Sequence, residues 1–96
     1  MYAVIFKAKV KKFDDEYTAM AERLRTRALQ DFGCLEFISC TEGDQEIAIS
    51  YWPSEAHMAA WKQDAEHLRA QRAGKNRWYD SYSVDVVEVQ RSYSQP

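Results

Sequence analysis

From Tyr2 to Lys11 the chain alternates: positions 2, 4, 6, 8 and 10 are apolar, and 7, 9 and 11 are lysine. That two-residue period predicts a strand with one buried face. Asp14 or Asp15 then offers an N-cap, with acids in the first turn favourable to the helix dipole. Tyr17, Met20, Ala21, Leu24 and Ala28 recur at helical spacing as one apolar stripe, and Arg23, Arg25 and Arg27 fall off it. Gly33 is placed to end this helix as a left-handed C-cap. Cys34–Thr41, rich in apolar residues and strand formers, predicts the next strand. Gly43-Asp44 suits a tight hairpin, and Glu46–Trp52 resumes a strand with Ile47, Ile49 and Tyr51 on one face. Pro53 stops that strand and Ser54 caps a second helix over 55–73, whose apolar stripe is Met58, Trp61, Ala65 and Leu68. Gly74 closes it. Residues 82–91 predict the last strand, and the polar tail 92–96 is expected to fray.

The order β-α-β-β-α-β is the split βαβ, or ferredoxin-like, plan of an α+β protein. It predicts one antiparallel four-stranded sheet with both helices on one face, and the 96 residues form a single domain, 1–96. The other sheet face carries Lys7 and Lys9 but also Ile5, one parity of Cys34–Thr41 and one of 82–91. A half-apolar open face needs cover. A second copy packed sheet to sheet about a two-fold axis is the simplest cover, which makes a homodimer the expected state.

Charge narrows the partners. A net charge of −2 argues against general affinity for nucleic-acid backbones. Residues 43–52 carry two acids and no base where an RNA recognition motif of the same strand order needs a basic residue, glycine and spaced aromatics. No apolar run approaches the ~20 residues that span a bilayer, and the N-terminus enters a strand pattern too soon for a signal peptide. Cys34 and Cys40, on one predicted strand, would stand roughly 20 Å apart, beyond disulfide reach. They read as reduced, inert thiols of a cytoplasmic protein. No metal-ligand spacing is present.

The most informative segment is 51–82, which holds Tyr51, Trp52, Trp61, Trp78, Tyr79 and both histidines, His57 and His67. Its sequence Tyr51-Trp52-Pro53-Ser54-Glu55, then Trp61-Lys62, Glu66-His67-Leu68-Arg69-Ala70-Gln71, Gly74 and Trp78-Tyr79-Asp80-Ser81-Tyr82 resembles the antibiotic biosynthesis monooxygenase family. The motifs cover about a third of the chain, and strand order and length agree over the rest. The resemblance implies a dimeric α+β barrel and a monooxygenase that uses no metal, flavin or other cofactor, acting on a small phenol- or quinol-like aromatic. Haem-degrading members carry an asparagine on the first strand, whereas this strand has Lys7 and Lys9, and Asn76 is the chain's single asparagine.

On this reading His67 is the catalytic base that removes a phenolic proton, and Tyr51, Trp61, Trp78 and Tyr79 are substrate-binding rings. Each has a plainer alternative. His67 can instead fix its helix by a hydrogen bond, Trp61 at helical spacing can be core, and Trp78 and Tyr79 can plug the end of the sheet. His57, in the first turn of its helix, reads as exposed. Lys7 and Lys9 read as ion-pair partners of acids. The alternative function is a dimeric binding protein that holds a small aromatic ligand or haem without turnover.

Overall fold

A computed structural model describes residues 1–73 and 78–96, with side chains for all of these except 67–73. The elements run β1 (Tyr2–Val10), α1 (Asp15–Asp31), β2 (Glu36–Glu42), β3 (Gln45–Trp52), α2 (Glu55–Ala73) and β4 (Tyr79–Glu88). All pairings are antiparallel, in the order β2-β3-β1-β4. This is the expected ferredoxin-like plan.

The alternation in β1 sets the layer. Val4, Phe6, Ala8 and Val10 are buried beneath the helices, while Lys7 and Lys9 stand exposed on the other face. Because register partners share a face, Ala48 and Ser50 of β3 and Val84 and Val86 of β4 follow Phe6 and Val4 to the helix side. Tyr17, Met20, Leu24 and Ala28 of α1 and Met58, Trp61 and Ala65 of α2 close the core from above. The stripes read from the sequence are therefore the buried faces, with Leu68 outside the described side chains.

Local signals act as expected at most ends. Asp14 caps α1, its carboxylate accepting the Tyr17 backbone N–H at 2.8 Å. Gly33 takes φ +76° beyond the last turn, and the Cys34 N–H returns to the Ala28 carbonyl at 3.0 Å. Gly43 takes φ +59° in the two-residue β2–β3 turn while Asp44 stays at negative φ, the pattern of a type II′ hairpin. Ser54 Oγ accepts the His57 N–H at 3.3 Å and meets His57 Nδ1 at 2.6 Å. His57 is exposed, engaged at this cap. Gly74 lies outside the described residues.

Three boundaries differ. β2 begins at Glu36, two residues later than the apolar run suggests, so Cys34 precedes the strand. There it is buried, its Sγ near the carbonyls of Glu36 (3.2 Å) and Tyr51 (3.4 Å), while Cys40 is exposed on β2. The two thiols thus do not share an environment. β4 begins at Tyr79 because the chain pairs across an irregularity at Lys9/Val10, where Tyr79 joins Val10. Tyr79 is a strand residue. The strand also ends earlier, at Glu88, with the Val89 N–H donating to the Met1 carbonyl at 2.9 Å.

One helix–helix link is polar. Arg27 grips Asp64 with two hydrogen bonds, Nε to Oδ2 at 2.7 Å and Nη2 to Oδ1 at 2.8 Å. The fork-to-fork geometry fixes α1 against α2 in one register, and the Asp64 carboxylate holds the guanidinium pKa above its usual value. Lys9 pairs with Asp44 of its own chain at 3.7 Å. Both side chains are exposed, so the pair contributes little.

Candidate ligand site

A cavity of about 250 Å³ lies between the helix-side face of the sheet and α2. The sheet supplies Val4 and Phe6 from β1, Phe37 from β2, Ala48 and Ser50 from β3, and Tyr82, Val84 and Val86 from β4. From α2 come Met58, Trp61, Lys62, Ala65 and Glu66, and Trp78 and Tyr79 line the end near the start of β4. The β4 side is the open one: Tyr82 is 58% exposed and Val86 45% exposed, although both share a face with the buried even positions of β1.

The rings hold each other at fixed angles. Phe6 meets Tyr79 edge-on at 5.7 Å between centroids and stacks with Tyr82 at 5.9 Å. Trp61 lies 5.3 Å from Trp52 and edge-on to Phe37 at 5.9 Å. Trp78 and Tyr79 both contact Tyr17 of α1, at 5.8 and 6.0 Å. Trp61 donates its indole N–H to the Leu24 carbonyl at 3.1 Å. An indole has one donor and no acceptor, so Trp61 offers the cavity carbon surface only. It is at once core and wall, being 7% exposed.

Polar groups are few. Lys62 and Glu66, both exposed, stand one helical turn apart on the α2 side. Ser50, 3% exposed, is the buried polar residue on the sheet side, with its Oγ accepting the Trp52 indole N–H at 2.9 Å, and Tyr79 and Tyr82 of β4 add phenol hydroxyls. Burial pushes the Cys34 thiol pKa up, which suits an inert sulfur. Among the described residues no group of three or more His, Cys, Asp or Glu could hold a metal ion.

Of the rings singled out in the sequence, the structure brings Trp61, Trp78 and Tyr79 to one cavity. Tyr51 stands apart from this group. It shares the open face with Ile47 and Ile49 and is not among the residues lining the cavity. The indole next to it, Trp52, is fully buried on the helix side. Ile47, Ile49 and Tyr51 thus face away from the helices, and on the helix side the small residues Ala48 and Ser50 line the cavity. The His67 side chain lies outside the described residues; its neighbour in α2, Glu66, lines the cavity. Phe6, Phe37, Tyr82 and Ser50 were not singled out from the sequence. Strand parity was the available signal, because each shares a face with Val4.

Comparison with known proteins follows the same line. No family model matches the chain. Bacillus subtilis (strain 168) YqjZ, described as an uncharacterized protein, is 37% identical over 91 residues, which cover 94% of this chain and 80% of YqjZ. Jasmonate monooxygenase ABM of Pyricularia oryzae (strain 70-15) is 28% identical over 96 residues, and the chain spans 45% of its length. Among solved structures, Rv0793 of Mycobacterium tuberculosis superposes with a TM-score of 0.75 at 16% identity, over 97% of this chain and 98% of that one. A putative antibiotic biosynthesis monooxygenase of Nitrosomonas europaea gives 0.70 at 16% identity, over 95% and 100%. A MhuD variant holding two manganese protoporphyrin IX molecules per active site gives 0.59 at 15% identity, over 97% and 99%. The chain belongs to one family with YqjZ, and its fold is that of the antibiotic biosynthesis monooxygenases.

Proposed function

We propose that the protein is a monooxygenase that oxidises a small phenol- or quinol-like aromatic in the cavity beneath α2. The supporting observation is a void walled by six aromatic side chains, Phe6, Phe37, Trp61, Trp78, Tyr79 and Tyr82, in the fold shared with antibiotic biosynthesis monooxygenases. Such walls stack flat rings and exclude water, and two α2 charges stand at the edge. In the reaction the phenol loses a proton to a base, for which His67, next to Glu66 in α2, is the candidate. The electron-rich anion reduces oxygen directly. One oxygen atom is added to a ring carbon and the other leaves as water, so a hydroquinone and O2 give a hydroxyquinone and H2O. The protein's contribution is positioning, deprotonation and a dry site.

Oxygen uptake with a panel of hydroquinones, naphthols and anthrones tests this. Uptake above buffer is expected for at least one compound, and His67→Ala is expected to lower it by about 100-fold or more, in the range of a general base. Absence of uptake across the panel contradicts the proposal.

The reading favours a small aromatic over a porphyrin. A cavity near 250 Å³ sits below the ~300–1,000 Å³ of drug-sized ligand sites and suits one or two fused rings. The described residues lining it include no histidine or cysteine to ligate iron.

The open sheet face is read as the seam with a second copy. Ile5, Ile38, Ile47, Ile49 and Val87 share that face, interspersed with Lys7, Glu36 and Asp85. A two-fold axis lets the two signs of charge meet across the seam. Sedimentation is expected to give a dimer at micromolar concentration. Ile47→Glu, placed opposite Lys7 in register, is expected to give a folded monomer. A monomeric parent protein contradicts this arrangement.

A further inference from the structure

Ser50 stands out among the described residues as the one polar residue in the buried set, 3% exposed on the cavity wall. Its register partners on either side are Val4 and Phe37, both carbon surface lining the same void. The Trp52 indole donates to Ser50 Oγ at 2.9 Å. Since an indole nitrogen only donates, the sense of that bond is fixed, and the Ser50 hydroxyl keeps its own proton to give elsewhere. Among the described residues that proton has no acceptor. A buried hydroxyl aligned by one partner and unmatched as a donor is a directed polar group on the sheet wall, away from the exposed Lys62 and Glu66 of α2.

We propose that Ser50 is the ligand-positioning anchor of this cavity, accepting from Trp52 and donating its hydroxyl proton to an acceptor oxygen, carbonyl or phenolate, on an aromatic ligand. This rests on the cavity being the substrate site and narrows the substrate class. The ligand turns an unprotonated oxygen toward β3 and its carbon frame toward Phe6, Phe37 and Trp61. A phenolic substrate binds there in its ionised form, and donation from Ser50 favours loss of the phenolic proton. Trp52 is a positioning residue at one remove, because it fixes the hydroxyl without lining the cavity.

The test compares two uncharged probes of one frame: 1-tetralone, which carries a carbonyl, and tetralin, which does not. Binding to the full chain is measured by equilibrium dialysis. In the parent protein 1-tetralone is expected to bind more tightly than tetralin by about five-fold or more, the effect of one net hydrogen bond. Ser50→Ala alone strands the buried Trp52 N–H, so the hydroxyl is removed in a Trp52→Phe background that lacks this donor. Trp52→Phe is expected to keep a preference for 1-tetralone, reduced because the hydroxyl is no longer held by the indole, and Trp52→Phe/Ser50→Ala to lose it altogether, with tetralin affinity the same in the two variants. Equal affinities in the parent protein, or a preference that survives Ser50→Ala, overturn the role of Ser50 and leave the cavity as a binding site. Binding of neither probe to the parent protein overturns the site itself, and the anchor with it.

Discussion

Trp61→Ala is expected to lower the free energy of unfolding by about 3–5 kcal/mol, the range for removing a large buried ring. Domains of this size hold only about 5–15 kcal/mol in total, so the variant should melt about 15 °C or more below the parent. Three things are lost together: the contact with Trp52 at 5.3 Å, the edge-on contact with Phe37 at 5.9 Å, and the hydrogen bond to the Leu24 carbonyl. The last also tethers α2 to α1, beside the Arg27–Asp64 fork. Trp61→Phe keeps a ring in place and should cost only about 1–2 kcal/mol, from lost contact area and the missing N–H. Thermal and urea unfolding of the three proteins check this. A loss below about 1 kcal/mol for Trp61→Ala would mean that the ring is a loose wall and not a structural member.

Ala48→Phe separates the site from the fold in the opposite way. Ala48 is half-buried in β3, pairs with Phe6 of β1 and lines the cavity from the sheet side. A phenyl group there enters the void, gains apolar contact and suits a strand position better than alanine does. The melting temperature should therefore stay within a few degrees of the parent or rise. Affinity for a bicyclic aromatic probe such as 1-naphthol should fall by about ten-fold or more, a change of ~1.4 kcal/mol, because the new ring occupies its place. Calorimetric titration with 1-naphthol reads the effect. Unchanged affinity in a stable variant would place the ligand elsewhere.

Much of the architecture was legible because local and global preferences agree. The alternation over β1 and the stripe Tyr17, Met20, Leu24, Ala28 each had one consistent solution, and Gly33 and Gly43 hold the positive φ angles their turns demand. The beginnings of β2 and β4 were less legible. Cys34-Leu35 continue an apolar run, and the Leu35 N–H does bond the Tyr51 carbonyl at 2.8 Å, so periodicity alone has no reason to stop there. Tyr79 enters β4 through a pairing with Val10, nearly seventy residues earlier, which no local signal records.

The site was half legible for a related reason. Trp61, Trp78 and Tyr79 attract notice by size, but in β3 size misleads. Ile47, Ile49 and Tyr51 form the more apolar parity and yet face away from the helices. Which parity faces the core is set by pairing with β1, where Val4 lies opposite Ser50 and Phe6 opposite Ala48. Ser50 therefore reads as an ordinary polar strand position until register places it on the cavity wall. The His67 side chain lies outside the described residues, so its role as base stands on its place in α2 and on the family resemblance.

In the proposed function the space between β1, β3, β4 and α2 receives an aromatic guest. A crystal structure of the protein grown with 1-naphthol tests it most directly. A flat ligand is expected between Phe6, Trp61 and Tyr82 with its oxygen toward Ser50. Side chains of the protein filling that space, with naphthol absent or bound on another surface, would contradict it.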